Sequence, residues 1–75
     1  MAAEIDELIA TALGIPVASI NESLEYLEVP EWDSFGHLNI VLALEKRYGI
    51  SIRDDLVPEL TTVRGIRAFA ARIGS

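Results

Sequence analysis

The 75-residue chain has no cysteine and only one histidine. Disulfide bracing and thiolate metal ligation are therefore excluded, and His37 has no His or Cys with which to form a metal site or a catalytic pair. Proline and glycine are scarce, at three and five residues, which removes the low-complexity and disordered classes. No apolar run approaches the roughly 20 residues of a membrane span. The opening "MAAEIDELIATALG" carries acids where a secretory leader carries bases, and its apolar positions are interrupted. A cytoplasmic location with no membrane contact is expected. Residues 1 to 45 contain no Lys or Arg and hold nine acids, whereas residues 46 to 75 hold all six bases and three acids. With a net charge of −6, the front half repels phosphate backbones and attracts basic surfaces, so the expected partner is a cationic protein and not a nucleic acid. The same acids also keep a small protein soluble.

What is present is apolar side chains at helical spacing. Hydrophobic residues make up 51% of the chain, enough for one folded domain over residues 1–75 but too little chain for an enclosed cleft. Ile5, Leu8, Ile9, Ala12 and Leu13 recur as one stripe of an amphipathic helix that ends at "GIP", 14 to 16. Residues 15 to 33 read as a long structured loop with room for one helical turn, its Glu22, Glu25, Glu28 and Glu31 forming a solvated face. Ser34 to Tyr48 is the most strongly patterned helix, with Gly49 as its left-handed stop. "ISIRDDLVPEL" alternates briefly like a strand but has no partner strand, so a short helix or turn ending near Pro58 is predicted. Asp54 and Asp55 pair with Arg53 or cap this element. Thr61 or Thr62 caps a last helix with Val63, Ile66, Ala70 and Ile73 on its inner face and Arg64, Arg67 and Arg72 outside. The predicted fold is all-α: a small bundle of three main helices plus one short helix.

The second helix has two apolar stripes. His37, Ile40, Val41, Leu44 and Tyr48 form one, and Phe35, Leu38 and Leu42 form another about 130° around the axis. A bundle helix needs only one, so the shorter stripe either packs against a further helix or is left for a partner or ligand. It begins one residue after Ser34, where the first helical amides lack intrahelical acceptors and the macrodipole favours a negative phosphate ester. Asp33 fits the N-cap, accepting from the amide of Phe35 or Gly36. Taken alone, an Asp-Ser pair before a helix is an ordinary cap. His37 on the core stripe reads as a hydrogen-bonded, partly buried side chain. Trp32 either anchors the approach to the helix or contacts a partner. Tyr26 and Tyr48 face the core with their hydroxyls reaching water.

The block "WDSFGHLNIVLALEKRYGISI", 32 to 52, resembles the central motif of acyl carrier proteins, commonly Asp-Ser-Leu followed by an apolar helix ending in Glu. The layout of the whole chain is compatible with that family. The resemblance implies that Ser34 carries a covalent 4′-phosphopantetheine arm, transferred from coenzyme A by a phosphopantetheinyl transferase, whose thiol holds acyl, aminoacyl or hydroxyacyl groups as thioesters. It further implies that Asp33 helps present Ser34, and that Phe35, Leu38, Leu42, Glu45 and Trp32 meet loading and condensing enzymes. A freely diffusing monomer without catalytic residues of its own is expected. The chain departs from the family pattern in several places: Phe35 stands for the usual Leu, Gly36 for a common Asp, and Asn39, Lys46 and Arg47 for residues that are acidic in typical fatty-acid carriers. These changes point to a carrier of the polyketide or nonribosomal peptide type, with the housekeeping fatty-acid carrier as the alternative. Gly36 weakens the first helical turn by up to about 1 kcal/mol relative to Ala, which hints that close approach there matters more than helix strength. An interaction module without a prosthetic group is the competing reading. An enzyme acting alone lacks any base and nucleophile that could meet in one cleft.

Overall fold

A computed structural model describes residues 2–74. Three α-helices, α1 (Ala2–Leu13), α2 (Ser34–Tyr48) and α3 (Val63–Ile73), are joined by connections that contain 3₁₀ segments at Val17–Ser19 and Asp54–Leu60. The fold is the all-α bundle expected from the periodicity; among the described residues the only β pairing is an isolated antiparallel bridge between Glu25 and Thr62.

Each helix is set by local signals and completed by burial. On α1 the predicted stripe turns inward: Ile5, Ile9 and Leu13 are buried, and Gly14 ends the helix in the left-handed region at φ 72°. α2 is capped by Asp33 and closes on Gly49, whose φ of 65° suits a residue without a Cβ. α3 is capped by Thr62, which accepts from the Gly65 amide. Its buried face includes Phe69 beside Val63, Ile66 and Ala70. The second 3₁₀ segment continues two residues past Pro58, because the proline's fixed φ is compatible with a 3₁₀ turn and Leu60 beyond it is buried in the core.

α1 and α2 run antiparallel: Arg47 near the end of α2 reaches Glu4 at the start of α1, while Leu13 at the end of α1 lies beside Gly36 at the start of α2. Ile9, Ile40, Leu44, Val63 and Ile66 meet at the centre with no exposed surface, each stabilising the fold by roughly 1.5–3 kcal/mol on burial. Three ion pairs tie the acidic front half to the basic back half: Glu4 with Arg47, Glu22 with Arg64 and Asp6 with Arg67. The last is the most sheltered, its side chains 17% and 29% exposed, and it is bidentate at 3.0 and 2.8 Å. Hydrogen bonding to Asp6 raises the Arg67 pKa further above its already high value. Arg67 therefore does not lie outside the packed face as the periodicity indicated. The carboxylate of Asp6 draws it in.

The long connection between α1 and α2 has few regular elements but is well fastened. Ile20 and Leu24 are buried, and main-chain bonds run from Tyr26 N to Thr61 O at 2.8 Å and from Val63 N to Leu24 O at 3.0 Å. The start of α3 therefore holds the loop that leads into α2.

Candidate functional site: the amino end of α2

Ser34 is the first residue of α2, and its side chain is exposed. Directly before it, Asp33 adopts an extended backbone and its Oδ1 accepts from the Gly36 amide at 2.9 Å, while its carbonyl accepts from the His37 amide at 2.8 Å. The carboxylate is thus aligned with the helix start, and the amides of Ser34 and Phe35 have no acceptor within the helix. The helix end is electropositive just where an oxygen on Ser34 would carry a phosphodiester. The exposed hydroxyl, the free amide pair and the fixed cap fit such a group.

Beside Ser34, the second stripe is in water: Phe35 is 70% exposed, and Leu38 and Leu42 are each 51% exposed. Among the described residues no other helix covers them, so this face is not packed within the bundle. A further exposed leucine, Leu27 at 66%, sits on the loop before α2. Its amide donates to the Trp32 carbonyl at 2.8 Å, and its φ of 70° is the left-handed conformation that residues with a Cβ rarely adopt. Neither feature is visible in sequence, because nothing in the string "YLEVP" marks a positive φ.

Two residues assigned to the partner surface have structural tasks, and for Trp32 burial rules the surface role out. Trp32 is completely buried. Its indole Nε1–H donates to His37 Nδ1 at 3.1 Å, and His37 Nε2–H donates to the Val57 carbonyl at 3.3 Å. Trp32 is thus an anchor and not a partner contact: a large ring that also needs an acceptor for its N–H is better satisfied inside, where His37 provides one. This Trp32–His37–Val57 chain joins the segment before Ser34 to the second 3₁₀ segment, and Tyr26 completes it with its ring 5.4 Å from the imidazole. Glu45 is half-buried and its Oε2 accepts from the Ile52 amide at 2.7 Å, so it also holds the turn after α2.

Gly36 shows why the segment can approach so closely. A Cβ built at this position would overlap the Glu31 carbonyl oxygen and come within 2.9 Å of Leu13 Cδ2. The loop backbone packs directly on the helix there, as the missing side chain indicated.

Between them, α1 and α2 also form an open groove of about 410 Å³, bounded by Glu7, Leu8 and Thr11 on one wall and Asn39 and Ala43 on the other. Among the described residues no group of His, Cys, Asp and Glu side chains is placed to hold a metal ion, and no helix is long and apolar enough to cross a membrane.

The family model for the phosphopantetheine attachment site matches residues 3–70. Polyketide-8 synthase acyl carrier protein 2 of Streptomyces avermitilis is 29% identical over 62 residues, which is 83% of this chain and 71% of that protein. An acyl carrier protein of Acidothermus cellulolyticus is 32% identical over 57 residues, covering 76% of this chain and 68% of its own. That of Thermobifida fusca is 27% identical over 60 residues, covering 80% and 76%. With the match spanning most of the chain and an exposed serine heading its capped second helix, the protein belongs to the acyl carrier family, whose members bear a covalently attached 4′-phosphopantetheine.

Proposed function

We propose that Ser34 is the attachment point of the arm and that the domain serves as a single non-catalytic carrier in a specialised pathway of the polyketide or nonribosomal peptide type. The observation that carries the reading is the position of Ser34: exposed, first in α2, and next to a cap whose carboxylate is already engaged with Gly36. In the transfer, the Ser34 oxygen forms the new bond to phosphorus, its proton is lost, and the adenosine bisphosphate half of coenzyme A departs. The partner enzyme supplies the base. The α2 end contributes the electropositive amides that accommodate the diester and a rigid turn that leaves the hydroxyl in reach. When bound, the arm supplies a thiol that holds cargo as a thioester. Phe35, Leu38 and Leu42 then offer apolar contact to each enzyme that visits the cargo, and the small area of this patch suits brief encounters.

The specialised pathway is supported by α2 itself, which has no acid in its first turn and carries Lys46 and Arg47 in its last. Enzymes that read an acidic second helix lose their complementary charges on this surface. The polyketide carrier among the relatives favours the same assignment.

Incubation with coenzyme A and a promiscuous phosphopantetheinyl transferase is expected to raise the intact mass by one phosphopantetheinyl unit, and Ser34→Ala is expected to abolish the rise while leaving the fold unchanged. A wild-type chain that no transferase modifies would overturn the assignment. For the pathway, the loaded protein is expected to be a poor substrate for the elongation enzymes of fatty-acid synthesis; turnover equal to that of their own carrier would return it to the housekeeping class.

A further inference from the structure

The turn formed by residues 25–32 contains a strained conformation that burial of its side chain does not repay. Leu27 has φ 70°, where a glycine would be unstrained, yet its side chain is 66% exposed and contributes little to the core. The turn is fixed on both sides: Glu28 Oε1 accepts from the Glu25 amide at 2.9 Å, and the Leu27 amide donates to the Trp32 carbonyl at 2.8 Å. Since Trp32 precedes Ser34 by only two residues, this bond places the Leu27 backbone within roughly 10 Å of Ser34. A standard interface covers about 800 Å² on each partner, a disc roughly 16 Å in radius. An interface of this size centred on Ser34 extends over the Leu27 backbone.

The charges around the turn specify the chemistry of the covering surface. Glu25 and Glu31 are exposed with no ion-pair partner among the described residues, Glu28 is exposed with one oxygen on the Glu25 amide, and Glu4, Asp6 and Glu22 are held by arginines. Asp33, the N-cap just before α2, accepts from Gly36, and Glu45, the one acid within α2, accepts from Ile52 at the helix's far end. The acidic side chains near the serine therefore lie on the loop that leads into α2 and not on the helix.

We propose that Leu27 is a docking residue for the phosphopantetheinyl transferase. It presents an apolar knob, in a turn that also carries the exposed Glu25, Glu28 and Glu31, to an apolar pocket with a cationic rim on the enzyme. The proposal rests on Ser34 being the modified residue. It adds that recognition is divided between the stripe on α2 and this turn, with the turn providing the electrostatic part. The strained backbone holds the leucine outward before the enzyme arrives, so little ordering is required on binding.

Steady-state transfer from coenzyme A, with the transferase that modifies the wild type fastest, tests the assignment. Leu27→Gly removes the knob and suits the φ, so the thermal midpoint is expected to hold or rise while the KM for the carrier increases about tenfold with kcat little changed. Leu27→Met, which retains an apolar knob, is expected to restore the wild-type KM. The pair Glu25→Lys and Glu31→Lys is expected to raise KM and to abolish its increase with added salt. An unchanged KM in both Leu27→Gly and the charge-reversed protein, with wild type modified normally, would refute the docking role alone. Loss of the fold in Leu27→Gly would show the side chain to be structural and would also refute it. Absence of modification on wild type would remove the carrier assignment, and the docking role with it.

Discussion

Gly36→Ala sets two physical effects against each other at a single methyl group. Helix propensity alone favours the substitution, since Ala in place of Gly in a helix stabilises by about 1 kcal/mol. The tertiary structure opposes it. The new Cβ would overlap the Glu31 carbonyl oxygen, a backbone atom, and press to 2.9 Å on Leu13 Cδ2. Neither neighbour can withdraw freely, because Glu31 is followed by the fully buried Trp32 and Leu13 is itself in the core. Overpacking of this kind costs about 1–3 kcal/mol when soft side chains yield, and the rigid carbonyl puts the position at or beyond the upper end. Subtracting the helix gain leaves a net destabilisation of about 2 kcal/mol, equivalent for a domain of this size to a fall in thermal midpoint of about 8–16 °C. Urea denaturation followed by circular dichroism measures it, with an unchanged slope as the check that both proteins unfold in the same two-state manner. The displaced loop carries Ser34 with it, so transfer of the arm should slow in parallel. A Gly36→Ala variant as stable as wild type, or more so, would show that the loop yields and that close approach does not explain the glycine.

The other expectations use the same measurements. His37→Phe leaves the Trp32 indole N–H buried without its acceptor and is expected to cost about 2–4 kcal/mol in urea denaturation, the sum of an unsatisfied donor and a misfitted ring. Asp33→Ala removes the cap on Gly36 and is expected to lower stability by about 1 kcal/mol and to reduce the rate of arm transfer; a stability loss with an unaltered rate would deny Asp33 any part in presenting Ser34. Asp6→Asn breaks the sheltered pair with Arg67 and is expected to cost about 1–2 kcal/mol, whereas Glu22→Gln at the exposed pair with Arg64 is expected to change stability by less than about 1 kcal/mol. Leu42→Asp, on an exposed site, is expected to leave the thermal midpoint nearly unchanged and to weaken turnover by partner enzymes.

The three helices, the Asp33 cap and the Gly49 stop were legible in the order of the amino acids, and the cap of the last helix was narrowed to Thr61 or Thr62. These are short-range matters: a stripe at i, i+3, i+4 and i+7 needs only its own helix to be recognised, and Asp33, Thr62 and Gly49 act within one turn of themselves. The exposed second stripe was half legible, since its spacing showed an extra apolar face but not whether another helix lay over it. Everything else waited on the packed molecule, because burial and partnership depend on what stands opposite in space. Trp32 went inside on account of His37, five residues away, and Val57, which the imidazole meets from the second 3₁₀ segment. Glu45 turned to the Ile52 amide, and Arg67 was drawn to Asp6 from the far end of the chain. Leu27 took its left-handed φ from a turn closed on Trp32. A periodic pattern records which way a helix faces, but a loop side chain has no period, so its environment is fixed only when the distant parts of the chain come together.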